Sequence, residues 1–197
     1  MKLNMGCGQN KLAGFVNVDS APESGADVIF DLEQTPWPWS DDSAEEVRFI
    51  HSLEHMGADS KVFLAIVREL YRVCADGAAV LVYVPHPRHD NFIGDPTHVR
   101  PITPQMLTLF DWRKNQEWKE KGASNTPMAF YLGVDFALEE AQLILSEPYN
   151  SRLARREMSR EALGEAIRSL NNVVEEFRIR LRVRKPPGGL APAGAEG

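Results

Sequence analysis

At 197 residues, 43% hydrophobic and 25% charged, the chain suits one globular α/β domain, expected over residues 1–185, and a disordered Pro-, Gly- and Ala-rich tail at 186–197. The net charge of −6 hides an asymmetry: residues 1–60 hold three Lys or Arg against eleven Asp or Glu, and residues 151–185 hold ten basic against five acidic. Without a long basic run a nucleic-acid partner is not expected, and without an apolar run near the roughly 18–20 residues that cross a bilayer neither is a membrane one. No basic-then-apolar leader precedes the first strand, and the two cysteines, Cys7 and Cys74, match no disulfide framework or zinc ribbon. A cytoplasmic protein with free thiols is the expectation.

Along the chain, residues 2–5, 15–19, 27–30, 46–50 and 78–84 are short apolar or β-branched runs bounded by turn formers, and they read as strands. Three of the runs end in glycine or a carboxylate: Leu3-Asn4-Met5-Gly6-Cys7-Gly8, Phe15-Val16-Asn17-Val18-Asp19 and Asp27-Val28-Ile29-Phe30-Asp31-Leu32. That is the layout of parallel strands whose carboxyl ends line a crevice for an adenosine-bearing ligand. Between residues 59 and 73, Val62, Phe63, Ile66, Val67, Leu70 and Val73 recur at intervals of three and four, which predicts a helix stopped by Asp76-Gly77. Strand, helix and strand then imply a parallel pair.

Residues 85–104 carry five prolines, three histidines and two arginines with little periodicity, and predict a long loop leaving the ligand side of the sheet. Beyond it, residues 105–118 read as helical, 131–145 as largely extended and 159–170 as helical. Residues 173–184 alternate strictly, with Phe177, Ile179, Leu181 and Val183 on one face and Arg178, Arg180, Arg182 and Arg184 on the other. Four arginines are not buried unpaired, so that face is expected to be wet, to meet acidic partners, or to join two copies in a homodimer.

Gly6 and Gly8 sit in the turn after the first strand, where absent side chains let backbone amides approach a ligand. Lys11 stands where a dinucleotide fingerprint needs a third glycine, which disfavours a pyrophosphate. Asp19 is placed to accept from both hydroxyls of a ribose, and Asp31 from an adenine amino group. The pieces describe adenosine without a diphosphate.

These runs, with Pro36-Trp37-Pro38-Trp39, His51-Ser52-Leu53-Glu54-His55 and Arg68-Glu69-Leu70-Tyr71-Arg72-Val73-Cys74-Ala75-Asp76-Gly77, resemble the class I S-adenosylmethionine-dependent methyltransferase superfamily over residues 1–85. The closest resemblance is to a small bacterial branch with a shortened first helix. It implies a Rossmann-like, three-layer α/β/α fold with a mostly parallel seven-stranded sheet whose last strands run antiparallel. It also implies S-adenosylmethionine as cofactor: Gly6, Cys7 and Gly8 at the methionine end, Asp19 with Ser20 at the ribose, Asp31 and the Leu32 amide at the adenine, and His51 at the methionine amine or sulfonium. Ala78 departs from the glycine usual after the helix, and no helices precede the first strand to cover substrate, which leaves the 85–104 loop as the expected lid.

Methyl transfer from a sulfonium needs chiefly an in-line, dry nucleophile, an effect worth about 7 kcal/mol or more. A base serves some acceptors, and His98 and His86 in the lid are the candidate catalytic groups, against a purely loop-structuring role. Asp95-Pro96-Thr97-His98-Val99-Arg100 also resembles a segment of the same branch. Arg88, His89, Asp95 and Arg100 are candidate contacts to a small acceptor, the arginines suiting a carboxylate or phosphate if they are not simply surface groups. His51-x-x-Glu54-His55 also matches an inverted zinc-protease signature, but it follows a strand where that signature needs a helix. The trio, like a divalent-ion cluster of His86, His89, Asp95 and His98, is set aside, and no metal is expected. Transfer to an oxygen, nitrogen or carboxylate of a small metabolite is the first reading; a catalytically idle cofactor-binding subunit and a zinc hydrolase are the alternatives.

Overall fold

The computed structural model describes residues 1–186 and 190; apart from Pro186 and Leu190, the expected tail lies outside the described residues. Its centre is a seven-stranded sheet in the order β3-β2-β1-β4-β5-β7-β6, formed by β1 (Lys2–Met5), β2 (Val16–Asp19), β3 (Val28–Ile29), β4 (Ala44–Ile50), β5 (Cys74–Pro85), β6 (Phe136–Leu145) and β7 (Val174–Val183). The first five strands are parallel, and β7 runs antiparallel to both β5 and β6. The chain leaves β1 toward β2 and returns on its other side as β4, so strand order reverses between β1 and β4, where open α/β sheets bind ligands.

The connection from β1 to β2 holds no helix and is pinned by side-chain amides. Asn4 Nδ2 donates to Asn17 Oδ1 at 2.9 Å in the interior, and Leu12 N donates to the same oxygen at 2.8 Å. Asn17 donates in turn to Asp27 through its backbone and its side chain. These bonds hold the glycine turn against β2 without a covering helix.

The predicted amphipathic helix is α1 (Ser60–Val73), capped by the Asp59 side chain accepting from Lys61 N at 2.7 Å. Its buried stripe of Phe63, Ile66, Val67, Leu70 and Val73 meets Val80 and Val82 of β5 and Leu181 of β7 in the main core. Each such side chain contributes about 1.5–3 kcal/mol, and Ile66→Ala costs about 2–5 kcal/mol. The helix stops at Val73, ahead of the expected Asp76-Gly77, because Cys74 already pairs with Ala44 of β4.

Residues 105–118 divide into α3 (Pro104–Leu107), a 3-10 turn (Thr108–Phe110) and α4 (Trp112–Glu120), since Asp111 caps a fresh helix by accepting from Lys114 N. The extended 131–145 segment begins instead with the end of α5 (Met128–Leu132), which stops at Gly133 in the left-handed region, and only then becomes β6. Between β6 and β7 lie α6 (Tyr149–Ala154), which has no apolar stripe to announce it, and α7 (Arg160–Ser169). Among the described residues no helix is long and apolar enough to cross a membrane.

The alternating strand β7 is second from the edge. Its apolar residues are buried, and its arginines meet acids of the same chain: Arg178 with Glu176, Arg180 and Arg182 with Glu139, and Arg184 with Asp111 and Asp135. The cationic face is thus neutralised internally.

Candidate active site

At the carboxyl ends of β1, β2 and β3 lies a cleft of about 230 Å³ lined by Gly6, Asp19, Ser20, Phe30, Asp31, Leu32, Glu33, His55 and Met56. Gly6 has φ +66°, and a Cβ built there would stand 2.5 Å from the Ser52 Cβ, so only glycine lets β1 turn here. Ser52 is fixed in place by donating to the Met5 carbonyl at 2.7 Å.

Asp19 closes β2 with its carboxylate drawn into the turn: Oδ2 accepts from Gly8 N at 2.7 Å and Oδ1 from Ala21 N at 2.9 Å. Each oxygen keeps a lone pair, so the group can still accept twice from a vicinal diol. Asp31 accepts from Glu33 N at 2.9 Å, and the Leu32 carbonyl accepts from the buried Trp37 Nε1 at 2.9 Å. Glu33 reaches across to accept from Gly57 N at 2.6 Å, tying the β3 loop to the turn after β4. Cys7 turns inward and burial pushes its thiol pKa up; Gly8 meets the site through its amide.

Beside this cleft, at the ends of β4 and β5, is a second of about 240 Å³ lined by His51, Glu54, Pro85, Asn91, His98, Glu175 and Glu176. His51 leaves β4 with φ +51°, the left-handed region, and Nε2 of its half-exposed ring lies 2.7 Å from Glu176 Oε2 of β7. Its Nδ1 is 3.8 Å from Glu54 Oε1, beyond hydrogen-bond reach. Glu54 is 0% exposed, and neither carboxylate oxygen has a hydrogen-bond partner among the described residues. Burial, followed by the negative charges of Glu176 and Asp95, raises its pKa to about 7.

Residues 86–103 fold over this cleft as the expected loop, with α2 (Asp90–Ile93) as its one helical turn. The Glu54 carbonyl accepts from Val99 N at 3.0 Å and Arg100 N at 3.1 Å, fastening the loop to the β4 end. Arg100 donates to the Gly57 carbonyl and lies over the Phe63 ring at 4.3 Å. Arg88 donates to the Arg168 carbonyl at 2.9 Å and to the Ile167 carbonyl at the end of α7. His89 caps α2 by accepting from Asn91 N, and Asp95 accepts from the amide and hydroxyl of Thr97. His86 accepts from Arg88 N, packs on Phe177 and lines neither cleft; burial lowers its pKa.

His98 stacks on Phe92 and meets His55 edge-on, with ring centroids at 5.3 and 4.6 Å. Since His55 lines the first cleft and His98 and Glu54 the second, the two clefts share a wall. Of the sequence candidates, Gly6, Asp19, Ser20, Asp31 and Leu32 converge on the first cleft, and His51 and His98 on the second. Glu176 was not visible as a site residue, because its pairing with His51 is set by the β5–β7 register.

The solved structures sharing this topology include an S-adenosylmethionine-dependent methyltransferase from Archaeoglobus fulgidus, at TM-score 0.63 and 16% identity over 92% of this chain and 85% of that one. Another from Methanosarcina mazei aligns at TM-score 0.53 and 13% identity, over 93% and 92% of the two chains. The chain has the class I methyltransferase fold. The same fold is shared by the [4+2]-cyclase SpnF, at TM-score 0.53 and 15% identity over 93% of this chain and 75% of that one, so the methyltransferase fold does not by itself fix the reaction. No protein-family model and no curated protein matches the sequence.

Proposed function

We propose that the protein transfers a methyl group from S-adenosylmethionine to an oxygen, nitrogen or carboxylate of a small acceptor. The observation that carries this reading is the Asp19 carboxylate, pinned by the amides of Gly8 and Ala21 with one lone pair left on each oxygen, beside a glycine turn that tolerates no Cβ. The residues fit the cofactor: Asp19 receives the ribose diol, Asp31 and the Leu32 amide the adenine edge, and Gly6 makes room for the methionyl end. When bound, the cofactor supplies an activated methyl on its sulfonium.

The chain's own task is to hold the acceptor in line and dry and to receive its proton. In this reading the acceptor occupies the cleft under the 86–103 loop, and His51 takes the proton. Its Nε2 lies 2.7 Å from Glu176 Oε2, which leaves Nδ1 as the working atom. His98 is less suited to that work, being packed against two rings with Nδ1 turned to the Phe92 carbonyl at 3.0 Å. Arg88 and Arg100 are occupied by backbone carbonyls, so an anionic acceptor draws little from them.

Calorimetric titration with S-adenosylmethionine and S-adenosylhomocysteine tests the reading. Micromolar binding of both, followed by methyl transfer in an acceptor screen, supports it. Absence of binding overturns it, and binding without any turnover favours the idle subunit.

A further inference from the structure

The wall between the two clefts contains Glu54, His55 and His98, one donor atom from each lying within 4.8 Å of the others. The reading of His51, Glu54 and His55 as helical zinc ligands does not survive here. Leu53–His55 is a single 3-10 turn, and His51 is committed to Glu176. His98, more than forty positions away, takes the third place.

Hydrogen bonding settles which nitrogens are free. The Thr97 hydroxyl donates to Asp95 Oδ1 at 2.6 Å, so it must accept from His55 Nδ1, 2.9 Å away. The His55 proton therefore sits on Nδ1, and Nε2 carries the lone pair. His98 Nδ1 faces the Phe92 carbonyl at 3.0 Å, which only accepts, so this ring too carries its proton on Nδ1. Two imidazoles each oriented by an Nδ1–H bond, one to a backbone carbonyl and one to a hydroxyl backed by a carboxylate, have the outer support typical of metal-bound histidines. Within 4.8 Å of a donor nitrogen of each is a carboxylate that is 0% exposed and has no hydrogen-bond partner among the described residues, an arrangement costly to leave uncompensated.

We propose that Glu54, His55 and His98 bind one divalent first-row transition-metal ion of the Zn²⁺ or Co²⁺ type. Two nitrogen donors and one oxygen donor disfavour Mg²⁺ and Ca²⁺. Three protein ligands leave a position open, as in catalytic rather than structural zinc sites. An oxygen or nitrogen of the acceptor fills it; this last step rests on the proposed methyl transfer, whereas the site itself does not. Donors around one ion bonded at about 2.0–2.2 Å lie roughly 3–3.5 Å apart, so the side chains close inward on binding.

The test uses the full, untagged chain after chelation, titrated with Co²⁺ and followed by calorimetry and the visible d–d spectrum. One equivalent with a four- or five-coordinate spectrum, displaced by Zn²⁺ and indifferent to excess Mg²⁺, is expected. His98→Gln and Glu54→Gln should each weaken binding more than the about 10–100-fold typical of outer-support residues, and Thr97→Val within that range. Thermal unfolding checks that the variants fold. Asp19→Ala should leave the Co²⁺ titration unchanged, which separates failure of this site from failure of the cofactor reading. Substoichiometric Co²⁺, or affinity unaltered in both ligand variants, overturns the proposal.

Discussion

Replacing Asp19 with alanine removes a group that does two things at once. Its oxygens accept from Gly8 N at 2.7 Å and Ala21 N at 2.9 Å, holding the glycine turn against β2, and the residue lines the cleft with one lone pair left on each oxygen. A diol bound there makes two hydrogen bonds to a charged acceptor, each worth about 1.5–3 kcal/mol, with part recovered by water in the emptied space. A net loss of about 2–4 kcal/mol, or roughly 30- to 1,000-fold in affinity, follows for S-adenosylhomocysteine, which is chosen because it cannot turn over. Asp19→Asn is no milder, because its amide NH₂ must face one of the two backbone donors. Titration calorimetry at matched pH, with thermal unfolding to confirm that the variants fold, gives the number. Less than a threefold loss in a folded Asp19→Ala protein refutes the assignment of this carboxylate to the ribose.

Gly6→Ala combines left-handed backbone strain of about 1–3 kcal/mol with a Cβ 2.5 Å from that of Ser52, so it should lower the melting temperature and weaken cofactor binding together; a variant unchanged in both contradicts the packing described. His51→Gln should reduce single-turnover methyl transfer by about 10²–10⁴-fold while cofactor affinity stays within twofold, and an unaltered rate removes His51 from the proton path. Glu69 is held below the ordinary carboxylate range by its bonds to Arg72, then by the Trp37 amide. With the folded pKa depressed, its contribution is complete above the unfolded value of about 4.5 and is lost as pH falls through the lowered folded value. Chemical denaturation from pH 6 down to pH 3 should show a steeper fall for the native chain than for Glu69→Gln; parallel curves would remove this pair from the acid response.

The parallel half of the sheet was legible because its rules are local. Leu3 to Gly8, Val16 to Asp19 and the stripe of α1 announce themselves through period and punctuation; the carboxylate of Asp19 follows from where β2 ends, whereas Asp31, expected to close the third strand, lies two residues beyond the end of β3 at Ile29. Boundaries failed where pairing overrode propensity, as at Cys74, recruited into β5 by Ala44. The second cleft was hidden for a different reason. Glu54 and His51 share a short motif, but what makes them a site is Glu176 from β7 and His98 from the lid, which only the β5–β7 register and the two hydrogen bonds to the Glu54 carbonyl bring near. Spacing in a sequence does not encode contacts between segments so far apart.

The two clefts are built from different materials, and this bears on how one fold serves several reactions. The first is lined largely by strand ends and a tight turn, with geometry set by backbone groups: Gly6 conformation, Gly8 N, Ala21 N and the Leu32 carbonyl. Changing it means changing the sheet. The second is made largely of side chains, carried on the end of β4, on β7 and on the loop that Val99 and Arg100 fasten to Glu54. In the proposed reaction, substitutions in the loop alter the chemistry offered to an acceptor while the strand-end contacts of the first cleft stay in place. A cyclase and methyltransferases sharing this topology are consistent with that division. For this chain the shared wall of His55, Glu54 and His98 is therefore where specificity for the acceptor should reside, and swapping loop residues 91–98 should change acceptor preference while leaving S-adenosylhomocysteine affinity within about twofold.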